Sequence, residues 1–158
     1  MADVHSKAVR SKNMRAIASQ DTAIEQRLAA RLRELELPFT VQRRDLPGRP
    51  DFALDESRCI IFTHGCFWHH HSCHLFKVPA TRTDFWLGKI AANVERDGRV
   101  VRELIGSGWR VLVVWECALR GRERLDDAAL SERLEEWICA GDNYCQIDGQ
   151  GIHAVPLL

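Results

Sequence analysis

The chain has 158 residues and no net formal charge at pH 7, with 46% hydrophobic and 28% charged residues. This length fits a single domain over residues 1–158, and the composition excludes a fully disordered chain. No apolar run reaches the roughly 18 residues of a membrane span, and residues 1–19 lack the apolar centre of a signal peptide. We therefore expect a soluble, cytoplasmic protein with no membrane partner.

The charges are unevenly distributed along the chain. Residues 1–50 carry ten Lys and Arg against six Asp and Glu, whereas residues 111–158 carry four against nine. A polyanionic partner would therefore meet the N-terminal half. A solvated basic helix explains the same excess, and we expect residues 1–20 to form a basic arm or helix.

Hydrophobic periodicity predicts seven elements in the order α-β-β-β-α-β-α. Thr22 and Glu25 have the spacing of a capping box, and Pro38 ends the helix that they open. The predicted elements are a helix over 22–37, strands over 39–42, 51–54 and 58–63, a helix over 83–105, a strand over 109–115 and a helix over 126–140. A loop over 64–82 and an irregular tail over 141–158 complete the chain. This order predicts an α/β fold with a mixed central sheet flanked by helices.

A loop rich in histidine and cysteine carries the first strong chemical signal. Cys66, His71 and Cys73 supply three thiolate or imidazole ligands within eight residues, and Zn²⁺ prefers four such ligands. Cys117, directly after the predicted strand 109–115, is the best candidate for the fourth ligand, and Cys59 is more distant. The choice of histidine among the five in the loop stays open. The pattern favours zinc over the alternative of a histidine-rich surface loop with incidental thiols.

A second candidate site lies where the predicted hairpin begins. Asp51 enters one strand and therefore lies beside Phe62 or Thr63 of its partner, within reach of His64. A carboxylate at a strand end, next to backbone carbonyls, is an oxygen site suited to Mg²⁺. Taken alone, Asp51 is more typical of a residue that caps a turn or strand, and its neighbours favour the metal site.

One acidic residue falls on an apolar face of the helix predicted over 83–105. The apolar stripe of this helix contains Trp86, Ile90, Val94, Val101 and Leu104. Asp97 lies within this stripe, and a core-facing carboxylate needs a partner such as a histidine or a metal ion. Glu25 lies at the edge of a similar stripe, although the capping box alone explains it.

Four residues of the loop have two interpretations each. His64 and His69 are candidates for a general base or acid because imidazole titrates near neutrality. Each is also compatible with a further zinc ligand or a packed histidine. Phe67 and Trp68 form an adjacent aromatic pair, which is usually core. On a loop held by zinc, the pair could instead project as a wedge between stacked bases.

Seven segments share the pattern of a known family. They are Met1–His5, Arg10–Arg15, Pro47–Phe52, Phe62–His69, Asn93–Asp97, Gly108–Val111 and Val114–Leu119. Together they span the chain to about His153 and closely resemble the very short patch repair (Vsr) endonucleases. The resemblance implies a restriction-endonuclease-like core with a structural zinc site. It also implies a nick in the thymine-bearing strand of double-stranded DNA at a T:G mismatch that arises from deaminated 5-methylcytosine. Mismatch-repair accessory proteins and association with the bacterial nucleoid are further implied expectations.

The resemblance also implies roles for individual residues. Asp51 and the backbone carbonyl of Thr63 would hold Mg²⁺, and His69 would act as the base. The implied supporting residues of the active site are Glu25, His64 and Asp97. The implied zinc ligands are Cys66, His71, Cys73 and Cys117. The implied intercalating residues are Phe67, Trp68 and Trp86, and an N-terminal segment with Lys12, Met14 and Arg15 would bind the opposite groove.

The chain departs from the wider restriction-nuclease pattern in one respect. No acid-x-Lys follows Pro50 and Asp51 on the next strand, which instead ends in Phe62, Thr63 and His64. The base must therefore be sought among the histidines. Two other functions remain open from the residues: a zinc-stabilised DNA-binding module without catalysis, and a hydrolase whose chemistry occurs at zinc.

Overall fold

Six strands form one sheet in the order β1-β2-β3-β4-β5-β6 in the computed structural model, which describes residues 22–157. The strands are β1 (Thr40–Val41), β2 (Phe52–Leu54), β3 (Cys59–His64), β4 (Arg110–Trp115), β5 (Tyr144–Asp148) and β6 (Gly151–Ala154). The helices are α1 (helical over 22–34), α2 (Thr83–Gly106), α3 (Glu116–Leu119) and α4 (Asp127–Ala140). The predicted α/β class with a mixed sheet and flanking helices is therefore confirmed.

The parallel direction of β3 and β4 brings the last residues of both strands to the same end of the sheet. β3 runs parallel to β4, and their last residues, His64 and Trp115, face each other in register. β1, β2 and β3 are antiparallel neighbours, and Phe52 of β2 pairs with Ile61 of β3. Asp51, just before β2, therefore lies beside the end of β3.

The sheet separates two apolar layers because successive strand residues point to opposite faces. In β3, Cys59 and Ile61 pack into the layer that contains Leu28 of α1 and Leu134 of α4. Ile60 and Phe62 pack into the opposite layer, which includes Leu104 of α2. Burial on both faces explains why β3 and β4 are apolar without alternation.

The prediction of an irregular tail over 141–158 is wrong. β5 adds to β4 in parallel and pairs with β6 through a tight turn. Cys145 and Ile147 are buried, whereas Tyr144, Gln146 and Asp148 between them are only partly buried. The segment looks irregular because partly buried polar residues occupy one face of a short strand, and their partners lie far away in sequence.

The predicted apolar stripe of α2 is correct only in part. Ile90, Val101 and Leu104 are buried, but Val94 is 43% exposed. Near Val94 the helix meets the loop that follows β3, since Asn93 Nδ2 donates to the backbone oxygen of Trp68. The stripe predicted core packing for Val94, but the helix instead makes a polar contact with the loop at the neighbouring Asn93.

Two further predictions concern the N-terminal residues and membrane spans. Residues 1–20, with Lys12, Met14 and Arg15, lie outside the described residues. Among residues 22–157, no helix is long and apolar enough to cross a membrane.

Candidate active site and metal centre

The histidines at the end of β3 and in the following loop form a stacked pair. The ring centroids of His64 and His69 are 3.9 Å apart, with the planes inclined by only 5°. Nδ1 of His69 lies 2.5 Å from Oδ2 of Asp97 on α2. Burial, together with the nearby His69, holds the pKa of His64 well below its usual value, so His64 is neutral near pH 7.

Asp51 lies beside the end of β3, as its place in the hairpin predicts. Its Oδ2 accepts from the backbone N–H of Thr63 at 2.7 Å and from the Thr63 hydroxyl at 3.2 Å. Burial raises the pKa of Asp51 above its usual value, although the hydrogen bonds from Thr63 and Gln42 oppose this rise. The next residue after Thr63 is His64, so the carboxylate and the stacked histidines occupy one end of β3.

A glutamine joins two carboxylates at this site. Nε2 of Gln42 lies 3.3 Å from Oδ1 of Asp51 and 3.5 Å from Oε2 of Glu25. Two carboxylates that converge on one donor form an oxygen-rich site with the chemistry that a divalent cation favours. Gln42 was not predicted, because the residue reaches the site through the β1–β2 pairing rather than through a local motif.

Four side chains form a separate cluster that could hold a metal ion. One ligand atom from each of Cys66, His71, Cys73 and Cys117 lies within 4.8 Å of the other three. Nδ1 of His71 is 3.7 Å from the sulfur of Cys66 and 3.6 Å from that of Cys117. Metal–ligand distances of about 2.3 Å to sulfur and 2.0 Å to nitrogen place sulfur and nitrogen about 3.5 Å apart in a tetrahedron. The cluster therefore has the dimensions of a tetrahedral site with three sulfur ligands and one nitrogen ligand.

The thiols of this cluster influence one another strongly. The hydrogen bond from Cys66 lowers the pKa of Cys117 to about 4. The hydrogen bond from His71 acts in the same direction, and burial opposes both. The contact with the Cys117 sulfur and burial raise the pKa of Cys66, and burial raises that of Cys73. One thiolate thus disfavours ionisation of its neighbours, and a divalent cation is the group that lets all three ionise together.

A buried glutamate at the end of β4 contacts the cysteine-rich loop that follows β3. Glu116, directly after β4, is 9% exposed, and its Oε1 accepts from the backbone N–H of Cys66 at 3.1 Å. Its Oε2 accepts from Nε of Arg120, one turn further along, at 2.5 Å. Glu116 was not predicted, because neither an acid next to Cys117 nor its i,i+4 arginine indicates a contact with a loop 50 residues earlier.

Trp115 lies between the two candidate sites. Its ring stacks on that of His71, with centroids 4.4 Å apart and planes inclined by 19°. The edge contacts with His64 and His69 have centroid distances of 5.4 and 6.3 Å. Nε1 of Trp115 donates to Oε1 of Gln146 on β5 at 2.9 Å, which fixes the plane of the indole.

The three aromatic residues expected to intercalate lie together on the surface of the loop and α2. Phe67, Trp68 and Trp86 are all partly exposed, and their centroids are 5.0 to 6.2 Å apart. Gly65 lies under Trp68, since a β-carbon at this glycine would be 3.5 Å from the indole. The cluster is therefore outside the two apolar layers of the fold.

These features define a class of protein before any comparison is made. A buried carboxylate at a strand end, next to a histidine held by an aspartate, is a donor set for hydrolysis assisted by a metal ion. A cysteine-rich cluster and an exposed aromatic surface flank it. The site is thus suited to a hydrolase, and the adjacent cysteine-rich loop could hold a separate metal ion.

Comparison with known proteins identifies the family. The family model described as "DNA mismatch endonuclease Vsr" matches residues 2–75. The chain is 70% identical over 153 residues to "DNA mismatch endonuclease Vsr" of Escherichia coli K12, covering 97% of this chain and 98% of that protein. It is 40% identical over 121 residues to the "Type II nicking enzyme V.XorIIP" of Xanthomonas oryzae pv. oryzae, covering 77% of this chain and 85% of that one. It is 38% identical over 130 residues to the "Type II nicking enzyme V.NmeAIP" of Neisseria meningitidis, with coverage of 80% and 93%.

The chain belongs to the Vsr family of DNA mismatch endonucleases. It is therefore a DNA endonuclease, and its mixed sheet is the restriction-endonuclease-like core of this family. The resemblance stated from the sequence is confirmed.

Proposed function

We propose that this endonuclease nicks the thymine-bearing strand at T:G mismatches that arise from deaminated 5-methylcytosine, in a reaction that requires Mg²⁺. The observation that carries this proposal is the contact between His69 and Asp97, beside His64 and the end of β3. It supplies an oriented base next to the carboxylate site of Asp51. Relatives named as a mismatch endonuclease and as nicking enzymes support the substrate and the single-strand cut. Because the substrate is chromosomal and these relatives are bacterial, we place the reaction in the bacterial cytoplasm, at the nucleoid.

Asp51 is the residue that we propose to hold Mg²⁺, with the backbone carbonyl of Thr63 and with Glu25 close by. The fit rests on the two carboxylates that share the Gln42 amide and on the burial that raises the pKa of Asp51. A cation offsets this cost of burying charge. The chemistry that a Mg²⁺ ion would supply there is polarisation of the scissile phosphate and stabilisation of the leaving oxygen.

His69 is the proposed general base. In the proposed arrangement Nδ1–H of His69 donates to Oδ2 of Asp97, so Nε2 is the ring nitrogen that can take a proton from the attacking water. The ring of His64 stacks on the ring of His69 and stays neutral. No second positive charge therefore lies against His69 when it takes the proton. Asn93 helps to hold this loop by donating to the carbonyl of Trp68.

Cys66, His71, Cys73 and Cys117 are the proposed ligands of a structural Zn²⁺. Three thiolates with one imidazole, at the spacing of a tetrahedral site, favour zinc over the oxygen-preferring Mg²⁺. With all four positions filled by protein, the ion has no place for a reacting water. Its role is then to fix the loop that carries His69.

Phe67, Trp68 and Trp86 are proposed to insert between base pairs next to the mismatch. They are partly exposed, and they lie on the same loop and helix as His69 and Asp97. Unstacking costs a few kcal/mol and is cheapest where pairing is already defective. An aromatic wedge therefore favours mismatched over matched DNA without reading every base.

One observation favours a second candidate function. His64, His69 and Asp97 also lie within 4.8 Å of one another through their ligand atoms and could themselves hold a metal ion. In that case the histidines would be ligands, and a transition metal would supply the nucleophile. The choice of activating metal separates this hydrolase from the proposed one.

The test uses zinc-loaded protein from which weakly bound cations have been removed by gel filtration into metal-free buffer. Duplexes with one T:G mismatch and a different label on each strand are incubated with no metal, with Mg²⁺ or with Zn²⁺. We expect Mg²⁺ alone to restore a nick in the thymine strand. We also expect the Asp51→Ala variant to stay inactive while it keeps its zinc. Equal cleavage with added Zn²⁺, or full activity of Asp51→Ala, would contradict the proposal.

A further inference from the structure

The C-terminal hairpin of β5 and β6 presents a polar face to the metal-binding loop. Gln146 and Asp148 lie two residues apart on β5 and therefore share one face, while Ile147 is fully buried on the other. Both polar side chains reach residues around His71. No motif in the sequence marks them, and neither belongs to the ligand set described above.

Asp148 contacts the imidazole of His71 on the side away from the sulfur ligands. Its Oδ2 lies 3.4 Å from Nε2 of His71, whereas Nδ1 of His71 faces the sulfurs of Cys66 and Cys117. The two ring nitrogens thus have different partners. A carboxylate on one nitrogen fixes the tautomer that leaves the other free to bind a metal ion.

The hairpin itself fixes the orientation of this carboxylate. Oδ1 of Asp148 accepts from the backbone N–H of Gln150 at 2.8 Å and lies 2.9 Å from Nε2 of His153. These two contacts turn Oδ2 towards His71. The next residue, Gly149, hydrogen-bonds the sulfur of Cys117 through its backbone. One turn therefore contacts two members of the cysteine-rich cluster.

Gly149 is closely surrounded at this turn. A β-carbon at Gly149 would lie 2.8 Å from the backbone oxygen of Glu123, so only glycine allows the turn to approach the loop after α3. On the face of the His71 ring, Trp115 stacks at 4.4 Å and is itself held by Gln146 of the same strand. The imidazole is thus held at its edge by Asp148 and on one face through Gln146.

We propose that Asp148 is a positioning residue of the metal centre: it orients His71 so that Nδ1 points at the bound Zn²⁺. This inference rests on the proposed zinc site and extends it to β5, which carries none of the four proposed zinc ligands. The hairpin is then part of the metal centre as well as an edge of the sheet. Partners of this kind, when removed, typically weaken metal binding about 10-fold to 100-fold.

The test measures the affinity of the full-length protein for Zn²⁺ by competition with a chromophoric chelator. We compare the wild type with Asp148→Ala and Asp148→Asn. Asp142→Asn is the matched control, because Asp142 is an exposed acid just before β5. We expect Asp148→Ala to bind Zn²⁺ about 10-fold to 100-fold more weakly and to release it faster. We expect Asp148→Asn to lose less, since its amide oxygen can still accept from His71, and the control to equal the wild type.

The outcomes separate this inference from the zinc proposal. A wild type that binds no Zn²⁺ contradicts the zinc site itself. A wild type that binds Zn²⁺, with affinities of both Asp148 variants within about twofold of it, contradicts only the role of Asp148. If Asp148→Ala does not fold, Asp148→Asn, which has the same shape, decides the question alone. Equal weakening in Asp142→Asn would reduce the effect to the loss of one negative charge and would also overturn the inference.

Discussion

His64 lies parallel to His69, with ring centroids 3.9 Å apart and planes inclined by 5°. Burial disfavours the charged form of His64 and lowers its pKa, and a charge on the neighbouring His69 would disfavour that form further. His64 is therefore held neutral beside the contact between His69 and Asp97.

The first prediction concerns stability at acid pH. The unfolded chain protonates His64 near pH 6.5, whereas the folded chain, with its lowered pKa, does not. The contribution of neutral His64 is thus complete above pH 6.5 and is lost as the pH falls below it, by up to about 1.4 kcal/mol per pH unit. Urea unfolding at pH 7.5 and pH 5.0 should show a smaller loss of stability for His64→Gln than for the wild type. Equal losses in the two proteins would show that His64 does not titrate as described.

The second prediction concerns Asp97, which orients His69. Asp97→Asn keeps the size of the side chain but removes the charge that holds the Nδ1 proton. We expect the fold and the zinc content to be unchanged and kcat to fall by about 10²-fold to 10⁴-fold, the usual contribution of a general base. Glu95→Gln is the matched control, because Glu95 is an exposed acid on the same helix. A kcat like that of the control would place Asp97 outside the reaction.

The third prediction separates structural from incidental cysteines. Cys66→Ala should lose Zn²⁺, and with it about 4 kcal/mol of folding free energy if Zn²⁺ is present at about 1,000 times its Kd. For a chain of this size the loss corresponds to roughly 10 °C in Tm. Cys139→Ala, at an exposed thiol of α4, should keep both Zn²⁺ and Tm. Metal analysis and thermal melts of the two variants provide the comparison, and a stable, zinc-free, active Cys66→Ala protein would remove the structural role of the ion.

The fourth prediction concerns the wedge. Trp68 is partly exposed and packs against Phe67 and Trp86. Trp68→Ala should weaken binding to T:G-mismatched DNA by about 1–3 kcal/mol, the typical contribution of a stacked aromatic ring, and should affect matched DNA much less. The slope of log affinity against log salt should not change, because no phosphate contact is lost.

Binding to the two duplexes at three salt concentrations, beside a thermal melt, measures this prediction. If Trp68 served the core instead, the variant would melt several degrees lower and would lose affinity for both duplexes equally.

Much of the candidate site could be predicted from the spacing of residues along the chain. Cys66, His71 and Cys73 lie within eight residues, so short-range sequence placed three of the four together, and the position of Cys117 directly after a predicted strand indicated the fourth. Asp97 was detectable because a carboxylate among apolar residues of a helix must have a partner, which proved to be a loop histidine.

Contacts set by long-range strand pairing were not predictable in the same way. Gln42 reaches Asp51 only once β1 lies beside β2, and Glu116 reaches Cys66 only once β4 lies beside β3. Asp148 was missed together with its whole strand, since a five-residue segment with a polar face resembles an irregular tail until β4 pairs with it. Each of these residues is an ordinary polar side chain whose role depends on neighbours far away in sequence.

The most direct test of the proposed function is a strand-resolved nicking assay under single-turnover conditions with Mg²⁺. Two duplexes of the same sequence, one with T:G and one with C:G at the central position, carry different labels on their strands. We expect one cut, in the thymine strand of the mismatched duplex, and an intact matched duplex. Cleavage of both duplexes at similar rates, or of the guanine strand, would contradict it.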